Sequence, residues 1–301
     1  MSVKEHLEYL SKEAEKIKDH KSQMMIRSRT EELLAQYNGD DKVISSFDIL
    51  EQLKDNPLPT AIPTGHPKLD QIIKGFYPGQ HIIFSAPPKS GKTSFILDLI
   101  ARMKYSNPCL LPLEQSGEEL VTMLKERELS IPLFYAPKSN KRPTLDWITK
   151  RITEAVVKYD SRVVFIDHFG YIKPDDSGQL QHLAIIDIMQ ELRSIAKQLN
   201  ISVVSIVHVR KVNPTEPPSV EDLYGGAGYL QEADTVVMMW REAYKEGKEV
   251  KWSNKVLVSV QANRRNGDTG NFRMRYEDYK FIQDDNIQFH YEGATDELDN
   301  F

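Results

Sequence analysis

Cysteine is nearly absent: Cys109 is the single one in 301 residues. A lone thiol closes no internal disulfide and builds no thiolate zinc site, which fits a reducing compartment. Flanked by apolar neighbours, it reads as a small buried hydrophobe. No apolar run is long enough to span a bilayer. The opening MSVKEHLEYL has no apolar centre like a secretory signal's and carries acids that a mitochondrial presequence avoids. Positive charge is also lacking overall: 39 Lys and Arg against 44 Asp and Glu leave a formal net charge of −5. Contact with nucleic acid therefore has to come from a local basic surface. There is no repeat of solenoid period and no Asn-Lys-x-Asp motif for reading guanine. What remains, 40% hydrophobic and 28% charged with three Trp, is a globular composition long enough for a large core. It points to a cytoplasmic protein with no membrane partner.

The chain is organised around His81–Thr93, HIIFSAPPKSGKT. An apolar strand runs into a turn, and the turn opens the amphipathic run SFILDLIARMK. The window Ala86, Pro87, Pro88, Lys89, Ser90, Gly91, Lys92, Thr93 is a phosphate-loop pattern with Ala in place of the first Gly. Such a loop wraps backbone N–H groups around phosphates, helped by the positive end of the following helix. Gly91 lets the backbone approach, Lys92 supplies a charge for the β/γ-phosphates, and Thr93 offers a hydroxyl to Mg²⁺. The expected ligands are ATP and Mg²⁺.

Before this stretch, residues 1–40 are Lys/Glu-rich with apolar positions at helical spacing, either exposed helices seeking a partner or a solvated arm. Ser45-Ser46 precedes a short amphipathic helix, FDILEQLKD. Asp55–Pro63 holds three prolines and reads as a linker. From Thr64 the strands alternate with helices, the pattern of an α/β fold with a mostly parallel sheet. Expected elements include a helix over Glu118–Leu129, a short strand at Leu133–Tyr135, helices over Leu145–Tyr159 and Leu183–Leu199, and strands Val163–Ile166 and Ile201–Val207. Strands are also expected at Thr235–Trp240, Val256–Gln261 and Phe272–Tyr276. Val209–Asp222 is basic, then Pro-rich, and a loop of that length is more often functional or mobile than structural. The expected domains are an N-terminal helical segment over 1–57, a nucleotide-binding domain over 58–283 and an acidic tail over 284–301.

In parallel sheets ligands bind beyond the carboxyl ends of strands. Apolar runs here end at Glu114, Asp167 and His208. Each alone is also an ordinary strand-ending or helix-starting polar residue. Together with a phosphate loop they suit ATP hydrolysis. Asp167 would hold Mg²⁺ through water, Glu114 would polarise the attacking water, and His208 would sense the γ-phosphate. Positive charge for the transition state has candidates in Arg264 and Arg265, on a turn far in sequence from Lys92. That placement suits donation to a neighbouring copy's site, although a solvated basic hairpin tip has the same look.

The succession APPKSGKT, LEQS, VVFIDH, VHVRK, YGGAGYLQEAD and NRRNGDTG resembles the RecA-like motor domain of hexameric replicative helicases of the DnaB type. Its motifs are most like those of the phage primase-helicase and Twinkle branch, from Pro63 to Phe281. The resemblance implies a P-loop NTPase core, with Glu114 as catalytic base, Asp167 as the Mg²⁺ carboxylate and His208 as sensor. It leaves Arg264 and Arg265 open as the finger that crosses to the next subunit. The Lys usual two residues before the finger is Ala262 here. Ser94 closes the nucleotide loop, and Arg241 and Tyr276 match positions that sandwich the adenine. Arg210, Lys211 and Tyr224, Gly225, Gly226 match segments that hold single-stranded DNA, with Tyr224-Gly225-Gly226-Ala227 standing where DnaB-type enzymes carry Arg-Glu-Ser-Gly. The implied function is a homohexameric ATP-driven DNA helicase in a bacterial cytoplasm, of viral or mobile-element origin. Its partners would be a primase, a polymerase or a helicase loader. Two other readings are a recombinase or annealing ATPase and a non-motor regulatory ATPase of the same fold.

Overall fold

A computed structural model describes residues 12, 16, 19–26, 28, 43–139, 143–172, 181–209, 213–223, 229, 231–247 and 249–289, with the backbone alone at 181–183. Most of residues 1–40, the tail after 289, and Arg210, Lys211, Tyr224, Gly225 and Gly226 lie outside the described residues. The chain divides into two units, Met1–Leu58 and Pro59–Phe301.

In the first unit the capping signal acts as its chemistry requires. Ser45 accepts from the Asp48 N–H at the start of helix α1 (Ser46–Asp55), and the Asp48 carboxylate returns to the Ser45 N–H at 3.0 Å. The helix buries no residue, and Phe47, Ile49 and Leu50 are exposed.

The second unit is built on one eight-stranded sheet in the order β2-β3-β4-β1-β5-β6-β7-β8. Its strands are β1 (His81–Ala86), β2 (Cys109–Pro112), β3 (Val163–Asp167), β4 (Ser202–His208), β5 (Thr235–Glu246), β6 (Glu249–Asn263), β7 (Gly270–Glu277) and β8 (Lys280–Gln283). Neighbours from β2 through to β5 pair in parallel, and the pairs from β5 to β8 are antiparallel. The parallel strands are apolar along their length because helices cover both faces. Alternation then sorts the side chains: Ile82, Phe84, Phe165 and Val204 join the core under α2 (Pro67–Ile73), α3 (Lys92–Arg102) and α4 (Gly117–Glu126). Ile83, Val164, Ile166 and Val203 join the core under α5 (Leu145–Tyr159) and α6 (Gln181–Gln198).

Several boundaries depart from the sequence reading. The short strand at Leu133–Tyr135 is a single bridge from Tyr135 to Cys109, because Pro132 and Pro137 restrict ladder formation on either side. Helix α4 stops at Glu126, before Leu129, since Glu128 takes a left-handed φ of 53°. Strands β5 and β6 run on past their apolar parts into a polar ribbon that turns at Gly247, where φ is 62°. Ladder pairing from Ala243 to Glu246 and a Lys251–Glu246 ion pair support that extension without an apolar pattern to announce it. Strand β8 was likewise unmarked; it places Phe281 edge-on against Phe95 of α3 at 4.9 Å. The long segment before Leu223 is tied to the sheet: the Trp240 indole donates to Pro214 O at 3.0 Å, and Val209 bridges Leu223. A cavity of 360 Å³ lies between this segment's Pro217 and Pro218 and the β5–β7 strands.

Phe165 sits at the middle of β3 with no exposed surface. Phe165→Ala is expected to lower stability by roughly 3–5 kcal/mol through lost burial and a residual cavity, read as a reduced urea midpoint with the slope unchanged.

Candidate active site

The parallel register sets up the site. β1 lies between β4 and β5, so Ala86 at its carboxyl end stands opposite His208 at the end of β4. On the other side of β4, Pro112 of β2 faces Asp167 at the end of β3. The chain leaving β2 stays attached there: Leu113 N–H and Glu114 N–H both donate to Asp167 O, at 2.5 and 3.3 Å. Glu114, Asp167, His208 and the loop after β1 thus converge at one edge of the sheet.

The loop itself follows from its residues. Gly91 has φ 93°, the left-handed region, while a Cβ built on it would meet only Phe281 at 3.7 Å. Conformation, not space, selects glycine there. Lys89 also lies at positive φ, 63°, and Ser90 ties back to Pro87 O at 2.6 Å. No side chain caps α3, leaving its first N–H groups directed at the loop's concavity. Lys92 is buried and donates to Ala86 O and Pro87 O at 3.2 and 3.4 Å. Burial pushes its pKa down, opposed by Asp167 and Glu114. Thr93 Oγ1 donates to Asp167 Oδ2 at 3.3 Å.

Asp167 is buried, and that burial, with the nearby Glu114 carboxylate, raises its pKa to about 6 despite Lys92 and Thr93. Glu114 Oε2 stands 3.8 Å from His208 Nε2. The His208 pKa is lowered by burial and then by Lys92, with Glu114 opposing. One residue at this edge was missed from sequence. His168, joined to Asp167 by a cis peptide bond, packs its ring against His208 with centroids 3.8 Å apart. Nothing in the spacing of VVFIDHFG singles it out from an ordinary turn residue.

Arg241 and Tyr276 lie toward the same edge, since Arg241 follows Met238, where the β1–β5 pairing ends, and pairs with Val256. The Tyr276 hydroxyl donates to Ser94 Oγ at 3.3 Å, and the Arg241 guanidinium rests on the Tyr276 ring at 4.8 Å. They touch each other directly, so a planar base would part the pair or lie against its outer face.

Arg264 and Arg265 are not in this group. β5 begins beside the start of β1, with Thr235 opposite Ile82, and Thr235 pairs with Asn263 of β6. The turn carrying both arginines is therefore at the amino-terminal edge of the sheet. The length of β1, roughly 20 Å at 3.3 Å per residue, separates it from the phosphate loop. Arg264 N–H donates to Asp234 O at 2.8 Å and its guanidinium to Gln231 O. The Arg265 guanidinium lies 3.3 Å over the Tyr77 ring. Asp234 holds this edge together, accepting from His81 N–H at 2.9 Å and pairing with Arg193 at 2.6 Å.

A hydroxyl and a carboxylate side by side, next to a nest of N–H groups, suit a hard divalent cation that completes its shell with water and phosphate oxygens. Among the described residues no group of three or more His, Cys, Asp or Glu is assembled that could hold a metal on protein ligands alone. The fold and this edge define a phosphate-loop nucleotide site on a RecA-like sheet.

Comparison with known proteins gives the family. The model of the DnaB-like helicase C terminal domain matches residues 61–134 and 138–283, and the chain belongs to that family. It is 25% identical over 276 residues to the replicative DNA helicase DnaC of Bacillus subtilis, covering 79% of this chain and 60% of the relative. It is 24% identical over 251 residues to the replicative DNA helicase DnaB of Leifsonia xyli, covering 72% of this chain and 54% of the relative. The chain thus spans little more than half the length of these curated relatives. In fold it is similar to a DnaB-like replicative helicase solved in a study of its interactions with primase, with a TM-score of 0.61 at 18% identity over 92% of this chain and 75% of that one. A second solved structure, an isolated ATPase domain, gives the same TM-score and identity over 79% of this chain and 96% of that one.

The raised Asp167 pKa has a stability consequence in metal-free protein. Its protonated form is favoured on folding, so its contribution is full below the ordinary value of 3.8 and is lost as pH rises through about 6. Asp167→Asn removes that loss. The variant is expected to gain on the parent by about 2 kcal/mol between pH 4 and pH 7.5, measured by urea denaturation in EDTA.

Proposed function

We propose that this chain is the ATP-driven motor of a replicative DNA helicase, assembling as a homohexameric ring that translocates on single-stranded DNA and unwinds duplex. The observation that carries the reading is the separation along β1. Lys92, Thr93, Glu114, Asp167 and His208 gather at one edge of the sheet, while Arg264 and Arg265 sit at the other. An arginine so placed reaches such a site only from a second copy of the chain.

When bound, Mg²⁺–ATP would supply the phosphoanhydride to be cleaved and a metal charge to offset its phosphates. The residues around it divide the work. The Ala86–Gly91 loop and the start of α3 present N–H groups to the phosphates, and Lys92 leaves its carbonyl partners to meet the terminal ones. Thr93 and Asp167 would hold the cation. Glu114, half-exposed beside the site, accepts the proton of the attacking water. His208, between Glu114 and the chain toward Arg210 and Lys211, reports the presence of the terminal phosphate to the segment that grips DNA. Arg241 and Tyr276 contact the base, with Ser94 beneath. One arginine of the Arg264–Arg265 pair enters from the adjacent subunit and stabilises transition-state charge.

Residues 1–57 serve as the segment that joins one subunit to the next, 58–283 as the ATPase, and 284–301 as a partner-facing tail. Tyr224, Gly225 and Gly226 contact DNA phosphates and bases in the ring's pore. A primase, a polymerase or a loader completes the assembly in the cytoplasm.

In a single-stranded-DNA-stimulated ATPase assay, Glu114→Gln is expected to retain nucleotide binding and lose at least about a hundredfold in turnover. Lys92→Ala should lose both binding and turnover. Wild-type protein indifferent to oligonucleotides would indicate a regulatory ATPase, not a motor.

A further inference from the structure

We propose that His168 is a positioning residue for His208, fixing the orientation of the sensor ring on which phosphate detection depends; this rests on the role given to His208 above. The His168 ring is held from several sides. Its Nδ1 accepts the Gly170 N–H at 3.0 Å, which places the proton of the neutral ring on Nε2. Tyr171 packs edge-on against it at 5.4 Å. A Cβ added to Gly170 would lie 2.6 Å from His168 Cε1, so the ring occupies the space that a side chain at 170 would take.

So clamped, the ring presents itself to His208 at 3.8 Å between centroids and 72° between planes. It closes one side of the space into which the His208 imidazole could rotate. Glu114 also faces the ring, with His208 Nε2 3.8 Å from its carboxylate. His208 thereby meets both the catalytic carboxylate and the residue that follows β3, and a shift at Asp167 reaches it through His168 within one packing contact.

The test is a set of variants read in the DNA-stimulated ATPase assay. His168→Asn keeps an acceptor for the Gly170 N–H and removes the ring from His208. It is expected to lower kcat about tenfold while the KM for ATP moves less than about twofold. Gly170→Ala leaves His168 chemically intact but displaces its ring, and should give a loss of the same size. In the His208→Ala background, adding His168→Asn should change kcat by less than about twofold, because the two act as one unit. Thermal melting confirms folding of each variant. Independent, multiplying losses in the double variant, or wild-type kcat in His168→Asn, would overturn the positioning role. Wild-type turnover in His208→Ala is a different result and removes His208 itself from the mechanism.

Discussion

The pairing of β1 between β4 and β5 is the constraint from which the rest follows. Parallel neighbours bring carboxyl ends together, so the phosphate loop, Asp167 and His208 arrive at one edge with no need for contacts between distant loops. The same pairing sends the antiparallel return of β6 to the opposite edge, carrying Arg264 and Arg265 with it. One sheet thus bears the phosphate-loop group and the arginine pair, the two halves of the proposed site, at opposite edges set by its own hydrogen-bond register. Asp234 stiffens the arginine edge from inside, linking α6, the start of β1 and the β6 turn through its carboxylate and carbonyl.

At the phosphate edge, charges are held where water is scarce. Lys92 and Asp167 are both buried, and each has a pKa moved toward its neutral form, with the other partly restoring the charge. Such an arrangement is costly on its own and suits the proposed ligand, which bears both phosphate and metal. Glu114 remains near the surface, where a water can reach it. The histidines at this edge are biased toward the neutral state, His168 to about 3. Neutral rings act there by shape and hydrogen bonding rather than by charge.

Much of this was legible in the sequence, and the exceptions have physical causes. The β1–loop–α3 unit was readable because its requirements are local: an apolar strand, a glycine at positive φ, and a helix that starts on Lys92. Helix α5 falls where its spacing predicts, over Leu145–Tyr159. Strand-ending acids pointed to the site because parallel sheets collect their carboxyl ends. Strand β8 and the polar β5–β6 ribbon were not readable, because their stability comes from cross-strand pairing that no apolar alternation marks. His168 was invisible for a similar reason: its partner His208 is distant in sequence and meets it only when β3 and β4 pair. The direct contact of Arg241 with Tyr276 is another tertiary fact that motif matching cannot supply.

The central claim is that each ATP-cleaving pocket takes residues from two copies of the chain, and subunit mixing tests it most directly. Lys92→Ala chains carry intact arginines, and Arg264→Ala/Arg265→Ala chains carry intact phosphate loops. Each preparation alone is expected to be inactive, with loss of the arginines costing about 10³–10⁵ in rate. Mixing the two should restore DNA-stimulated ATP turnover in proportion to interfaces that join an intact loop to an intact arginine. No recovery at any mixing ratio, with mixed assembly verified by mass, would contradict the account.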